Sequence, residues 1–234
     1  MSLSLLFTGL LGGVLAADAT ALAQFLISQP LVGGALTGLL WGNLEMALQV
    51  GALLQLFALA RLPLGGRTPD DTASAGVVGP AVAILIDRQV LFTTSSAAVL
   101  IGVVFGLAVA LAGRPLIHWL RLRNEALARW AENQVREGHA GALDVAHWLG
   151  VAHAFALGTA VTLVGILVGT TIGQWALEFD AVAVGQAART AEPVLWGLGA
   201  GVASRQFVNF RKGSGAVFLA VLAMLLALRL AAAS

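Results

Sequence analysis

Four polar residues in the first third of the chain have side chains suited to binding a hydroxyl-rich ligand. Asp70 and Asp71 follow a proline, whereas Gln24 and Gln55 lie in otherwise apolar stretches. A carboxylate near a membrane can accept hydrogen bonds from sugar hydroxyls or hold a coupling ion. A glutamine amide supplies a donor and an acceptor together, which suits a polyol. We therefore predict a substrate-binding site formed by Gln24, Gln55, Asp70 and Asp71.

The same four residues also have a purely structural interpretation, which the sequence leaves open. An aspartate at the start of a helix caps free N–H groups and interacts favourably with the helix dipole. A glutamine inside a helical bundle can form an interhelical hydrogen bond, which stabilises the bundle by about 1 kcal/mol. Asn43 directly follows Gly42, and this pair predicts a helix break rather than a ligand contact.

The remaining polar residues predict neither a metal site nor catalysis. His147 and His153 are six residues apart, which is not the i, i+4 spacing of a helical metal pair, and no acidic cluster accompanies them. We expect Ser95-Ser96 and Thr170-Thr171 to hydrogen-bond back to their own helices. We see no serine-nucleophile, phosphate-loop or paired-carboxylate motif, so we expect no enzymatic activity and no cofactor.

The composition predicts a helical membrane protein. Of 234 residues, 59% are hydrophobic and 11% are charged, and the mean hydropathy is +0.89, whereas soluble domains carry about 25% charged residues. Apolar runs of about 18 residues or more indicate transmembrane helices. The net charge of +1 makes nucleic acid an unsuitable partner, and the absence of cysteine excludes a thiolate site. Residues 1–17 lack a positively charged start and are expected to form a first span rather than a cleaved signal.

We predict an all-α, polytopic membrane protein of one domain, with broken or re-entrant helices and one amphipathic surface helix. Residues 1–88 would hold the substrate site in broken helices, because Pro30, Gly42 and the Pro- and Gly-rich stretch after residue 61 interrupt them. Irregular backbone at membrane depth occurs where it lines a cavity or is buried in protein. A span over 89–113, the surface helix over 114–146 and scaffold spans over 147–234 would follow.

The predicted surface helix also indicates the orientation of the chain. Its charges alternate in sign along one helical face at spacings of 4, 4, 3 and 4, from Arg121 through Glu125, Arg129 and Glu132 to Arg136. The segment 114–144 carries five of the thirteen basic residues. The positive-inside rule therefore places it in the cytoplasm.

Four short segments between residues 12 and 78 carry a resemblance to a known family. They are, in order, residues 23–32 (AQFLISQPLV), 36–42 (LTGLLWG), 51–57 (GALLQLF) and 62–66 (LPLGG), followed by Pro69-Asp70. With these segments the chain resembles the IIC subunit of mannose/fructose/sorbose-type phosphotransferase systems, and the first of them is similar to a Q-x-x-I-S-R-P-L-V stretch of that family. After residue 80 only the hydropathy pattern and the amphipathic segment agree.

The resemblance implies a multi-pass permease subunit of the cell inner membrane. In that family, IIC and IID subunits form a sugar-translocating complex, assembled as a trimer of IIC–IID pairs. A phosphorylated IIB subunit, recharged by IIA, phosphorylates the incoming sugar, and IIC itself carries no phosphorylated residue. Gln24, Gln55 and Asp70 match family positions near the sugar.

Three departures from the family pattern each remove a charge. Gln29 stands where the family has arginine, Asn43 where it has aspartate, and Gln55 where it has glutamate. The arginine and aspartate replaced by Gln29 and Asn43 are a candidate ion pair lost together. The losses leave a second interpretation open, a non-transporting assembly or regulatory membrane protein derived from such a subunit.

Overall fold

The computed structural model describes residues 3–22, 24–59, 68–89 and 95–204. This part of the chain contains helices and no strand, and the prediction of an all-α protein is confirmed. The helices are α1 (Leu3–Thr20), α2 (Pro30–Trp41), α3 (Leu44–Leu59), α4 (Thr72–Gln89), α5 (Ser95–Arg136) and α6 (Ala142–Ser204). The end of the predicted scaffold spans, residues 205–234, and the matching segment 62–66 lie outside the described residues.

Helices α1, α5 and α6 are long and apolar enough to cross a membrane, which agrees with the predicted multi-pass protein. Helix α4 lies among them, and the side chains of Val77, Val78 and Val82 are fully buried. It packs against each of the five other helices. The core of the bundle is therefore centred on α4.

Helices α2 and α3 form the predicted broken segment. Pro30 is the first residue of α2, and Gly42 ends the helix with a left-handed φ of 68°. The side-chain Oδ1 of Asn43 then accepts the Met46 N–H at 3.2 Å, which caps α3. At a rise of about 1.5 Å per residue, the twelve residues of α2 are too short for a hydrocarbon core of about 30 Å. The two helices pack together as a hairpin, consistent with a re-entrant segment.

Helix α5 joins two elements that the sequence predicts as separate. It runs unbroken for 42 residues through Pro115, so the predicted span over 89–113 and the amphipathic segment share one helix. A single proline removes one backbone hydrogen bond, and the polar residues after Arg114 lie on exposed faces, so nothing forces the chain to turn there. The helix ends at Arg136, before residue 146 where the predicted surface helix ends, and Gly138 has a φ of 92°. A location of this part on the membrane surface stays a prediction.

Helix α6 occupies the described part of the segment predicted to form scaffold spans, 147–234, and begins a few residues before it. It continues through the polar residues after 178 and bends at Asp180, whose φ of −159° and ψ of 85° are not helical. Asp180 Oδ1 accepts the Ala183 N–H at 2.8 Å, so the bend has its own cap. The second part returns to α5, where the Ser96 hydroxyl donates to Glu192 at 2.7 Å. The predicted back-bonding is therefore wrong for Ser96, whereas Thr170 does donate to the Ile166 carbonyl.

Candidate functional site

A cavity of about 440 Å³ lies where the loop between α1 and α2 meets the end of α3, the start of α4 and the faces of α5 and α6. All four residues predicted to bind substrate line it: Gln24, Gln55, Asp70 and Asp71. They come from three separate stretches of the chain, and the helix breaks at Pro30 and before Thr72 bring those stretches together. The volume falls within the usual range of about 300–1,000 Å³ for small-molecule sites.

Gln55 links the end of α3 to the start of α2. Its Nε2 donates to Oε1 of Gln29 at 2.8 Å, and its Oε1 accepts the Leu31 N–H at 3.3 Å. The second bond satisfies one of the free N–H groups at the start of α2. Gln55 therefore has an interhelical role and also lines the cavity.

The expected pairing of positions 29 and 43 is wrong. Gln29 precedes the first residue of α2 and Asn43 follows its last, so the helix separates them, and Asn43 instead caps α3. The partner of Gln29 is Gln55. Of the three positions at which the resemblance implies a lost charge, 29 and 55 are in contact in this structure.

Asp70 forms an ion pair with Arg114 of α5. The arginine donates from Nε at 2.8 Å and also from Nη2, both to Oδ1 of Asp70. The Asp70 side chain is 7% exposed and the Arg114 side chain 48% exposed. The pair fixes the start of α4 against α5 and keeps a carboxylate at the cavity wall.

Asp71 caps α4, as the structural interpretation predicts. Its Oδ1 accepts the Ser74 N–H at 3.0 Å, and its own N–H donates to the Ala110 carbonyl at 3.0 Å. Gly113 faces it closely, and any Cβ there would overlap the Asp71 side chain. Asp71 precedes α4 and lies outside the helices long enough to span. Burial raises the pKa of its carboxyl, an effect that the hydrogen bonds from Ser74 oppose.

The residue that the sequence analysis missed most clearly is Asp18, near the end of α1. Its side chain is 1% exposed, and its two oxygens accept the N–H groups of Phe25 at 2.7 Å and Ser28 at 3.2 Å. Gln24 and Leu26, in the same loop, have φ values of 54° and 65°. The sequence signal for Asp18 is an acidic residue near the end of an otherwise apolar helix. Its hydrogen-bond partners lie seven and ten residues further along the chain, so the local sequence does not predict them.

The cavity wall combines polar groups of different kinds with apolar surface. Besides the four predicted residues, its polar members are Asp18, Thr20, Ser28, Gln29, Thr72 and Arg121, and its apolar members include Leu120 and Leu157. Carboxylates accept hydrogen bonds, amides both donate and accept, and hydroxyls do either. This mixture suits a neutral ligand with many hydroxyl groups and a partly apolar ring face.

The histidines considered as metal ligands do not come together at this site. Neither lines the cavity, and the His147 ring packs edge-on against Trp148 with centroids 5.6 Å apart. Within the described ranges, no three His, Cys, Asp or Glu residues are grouped as a metal site would require.

Comparison with known proteins gives a consistent result. The family model described as the PTS system sorbose-specific IIC component matches residues 2–229. A PTS system sorbose-specific EIIC component from Klebsiella pneumoniae is 25% identical over 128 residues, or 55% of this chain and 45% of that protein. The alignment thus spans less than half of that relative. A solved structure described as a membrane protein is similar to this chain, with a TM-score of 0.68 and 17% sequence identity. The alignment covers 100% of this chain and 97% of the other chain, and it supports the fold alone.

Proposed function

The chain belongs to the family of sorbose-specific IIC components of phosphotransferase systems, and from that premise we propose that it is a sugar-translocating subunit whose sugar site is the cavity. Members of this family are membrane-embedded transport components. The observation that carries the proposal is the convergence of Gln24, Gln55, Asp70 and Asp71 on one cavity. The chemistry of each of these side chains suits a sugar, and the fold brings all four to one place.

Sugar binding in this cavity would use the polar residues in different ways. Asp70 accepts a charge-assisted hydrogen bond from a sugar hydroxyl, while its ion pair with Arg114 holds the carboxylate in place. Gln24 and Gln55 supply amide groups that can donate and accept. Asp71 is occupied mainly by capping α4, so it shapes the wall more than it binds. The chain itself binds and shields the sugar. A partner IIB protein transfers the phosphoryl group to the sugar.

A second membrane subunit, similar to IID, would complete this assembly. The α2–α3 hairpin is too short to span, and irregular backbone at membrane depth has to be buried in protein or line a cavity. Large apolar side chains on α6 are also exposed, among them Val164, Leu167 and Trp175. A trimer of such pairs, with soluble IIB and IIA proteins as phosphate donors, is the arrangement we propose.

The Gln29–Gln55 hydrogen bond favours the transporting interpretation over the non-transporting one. The lost charges motivated the second interpretation, and two of them are replaced here by groups that contact each other. A joint replacement preserves the contact between α2 and α3 and so maintains the shape of the cavity. If the chain had lost transport through unrelated substitutions, a change at position 29 would not require a matching change at position 55.

The test is sugar uptake by the full chain together with partner IID, IIB and IIA proteins. Membrane vesicles are given radiolabelled sorbose, fructose or mannose, and uptake and phosphorylation are measured. We expect the parent to transport one of them, and Asp70→Asn to reach the membrane but bind that sugar about 10- to 100-fold more weakly.

Arg129→Gln is the matched control, because it breaks an exposed ion pair with Glu125 away from the cavity. It should transport like the parent. If the parent transports none of the sugars while all partners are present, the non-transporting interpretation replaces this proposal.

A further inference from the structure

We propose that Asp18 is the positioning residue of this site: its buried carboxylate holds the loop of residues 24–28 in the conformation that places Gln24 and Ser28 in the cavity wall. The ligand assigned to that wall rests on the proposed function. The positioning itself rests only on the contacts of Asp18.

The carboxylate of Asp18 serves the loop rather than its own helix. One oxygen accepts the Phe25 N–H and the other accepts the Ser28 N–H. Hydrogen bonds to an ionised acceptor are stronger than neutral ones, and deep burial shields these from water. Two N–H groups three residues apart are thus held by one side chain at the end of α1.

The loop adopts a conformation that its own sequence does not favour. Gln24 and Leu26 have left-handed φ values of 54° and 65°, and no glycine occurs between Ala21 and Gln29. Residues other than glycine rarely adopt this region and persist there only when their surroundings impose it. The two bonds from Asp18 lie on either side of Leu26 and hold the loop in this conformation; a longer backbone bond, from the Gln29 N–H to the Leu26 carbonyl at 3.3 Å, lies in the same loop.

The position of the loop determines which side chains reach the ligand. Gln24 and Ser28 line the cavity together with Gln29, which follows the loop directly and contacts Gln55. Phe25, between them, does not line it. A released loop would have to be reordered each time a sugar binds, which lowers the apparent affinity by the fraction of time that the loop is correctly placed.

Loop order can be measured without any sugar. The chain has no cysteine, so a nitroxide spin label on Phe25→Cys reports on this loop alone. Asp18→Asn keeps one acceptor and places an NH₂ group against a backbone N–H, so we expect the label to become markedly more mobile. Thr8→Val is the control: Thr8 is equally buried in α1 and accepts the Trp41 indole N–H at 2.8 Å, far from the loop. The label should not respond to Thr8→Val, and an unchanged spectrum for Asp18→Asn would overturn the proposal.

The consequence for sugar is measured in the vesicle uptake assay, using the sugar that the parent transports. Asp18→Asn should raise the KM about tenfold while the maximal rate stays near that of the parent. Adding Leu26→Asn to Asp18→Asn should recover part of this loss, because asparagine tolerates a left-handed φ. The single variant Leu26→Asn measures the direct effect of that substitution on the KM. A variant with less folded protein but an unchanged KM would show a structural role only. If the parent transports no sugar, the proposed function fails, and the spin-label result still decides the role of Asp18.

Discussion

Gln55 and Gln29 share a side-chain hydrogen bond of 2.8 Å that joins the end of α3 to the residue preceding α2. The family resemblance implies a glutamate at position 55 and an arginine at position 29. This chain has a neutral hydrogen-bonded pair at those two positions, at the edge of the cavity.

Restoring both charges should be tolerated better than restoring one. Gln29→Arg alone introduces a guanidinium whose neighbour Gln55 offers one neutral acceptor, whereas Gln29→Arg with Gln55→Glu can form a bidentate ion pair. We expect thermal stability in detergent to fall for Gln29→Arg and to recover in the double variant, with a coupling of about 1–3 kcal/mol. Strictly additive effects would show that the two positions do not interact.

The contact between α4 and α5 should be sensitive to a single methyl group. Gly113→Ala would push the new Cβ into Asp71, which caps α4 and donates its N–H to Ala110. We expect a loss of about 1–3 kcal/mol, as for overpacked cores, seen as a lower melting temperature.

A matched control for Gly113→Ala exists in α6. Gly197 has no described atom within 4 Å of an added Cβ, so Gly197→Ala should leave the melting temperature unchanged or raise it slightly. Equal melting temperatures for the two variants would contradict the close approach of α4 to α5 at Gly113.

The orientation predicted from the basic residues can be tested in intact cells. The Arg129 side chain is exposed in the last part of α5. Leu3 is exposed at the start of α1, whereas the end of α1 lies at the cavity next to α5. A membrane-impermeant thiol reagent should label Leu3→Cys in intact cells but should label Arg129→Cys only after permeabilisation. Labelling of Arg129→Cys in intact cells would reverse the assigned orientation.

Much of the fold is predictable from the sequence because local residue types determine where several helices begin and end. Proline at position 30 and the Gly42-Asn43 pair act through their own backbone preferences, and the structure has a helix boundary at each. Helix continuity was harder to predict: α5 passes through Pro115, and α6 bends at Asp180 without a glycine or proline there. A single proline removes one backbone hydrogen bond and does not have to end a helix, and the bend at Asp180 is capped by the Asp180 side chain itself.

Some residues of the candidate site could likewise be predicted from the sequence, and others could not. Gln24, Gln55, Asp70 and Asp71 were identified by their polarity in apolar or broken segments, a property that each residue shows by itself. Asp18 and Arg114 were not, because their importance lies in partners that only the folded chain brings near. Arg114 contacts a residue 44 positions away.

The central claim is that the cavity binds a sugar, and Gln24 is the residue that tests it most directly. Asp70, Asp71 and Gln55 also hold helices together, whereas the Gln24 side chain is exposed and has no side-chain hydrogen bond to another described residue. Its neighbour Phe25, in the same loop, does not line the cavity. Gln24→Ala should therefore affect the ligand and not the fold.

The measurement is equilibrium binding of the radiolabelled sugar that the parent binds, to the full chain purified with its partner subunit. Gln24→Ala should weaken binding by about 2- to 10-fold, as expected for the loss of neutral hydrogen bonds, while Phe25→Ala keeps the parent Kd. Both variants should melt at the temperature of the parent. A Kd for Gln24→Ala equal to that of the parent would contradict the assignment of this cavity as the sugar site.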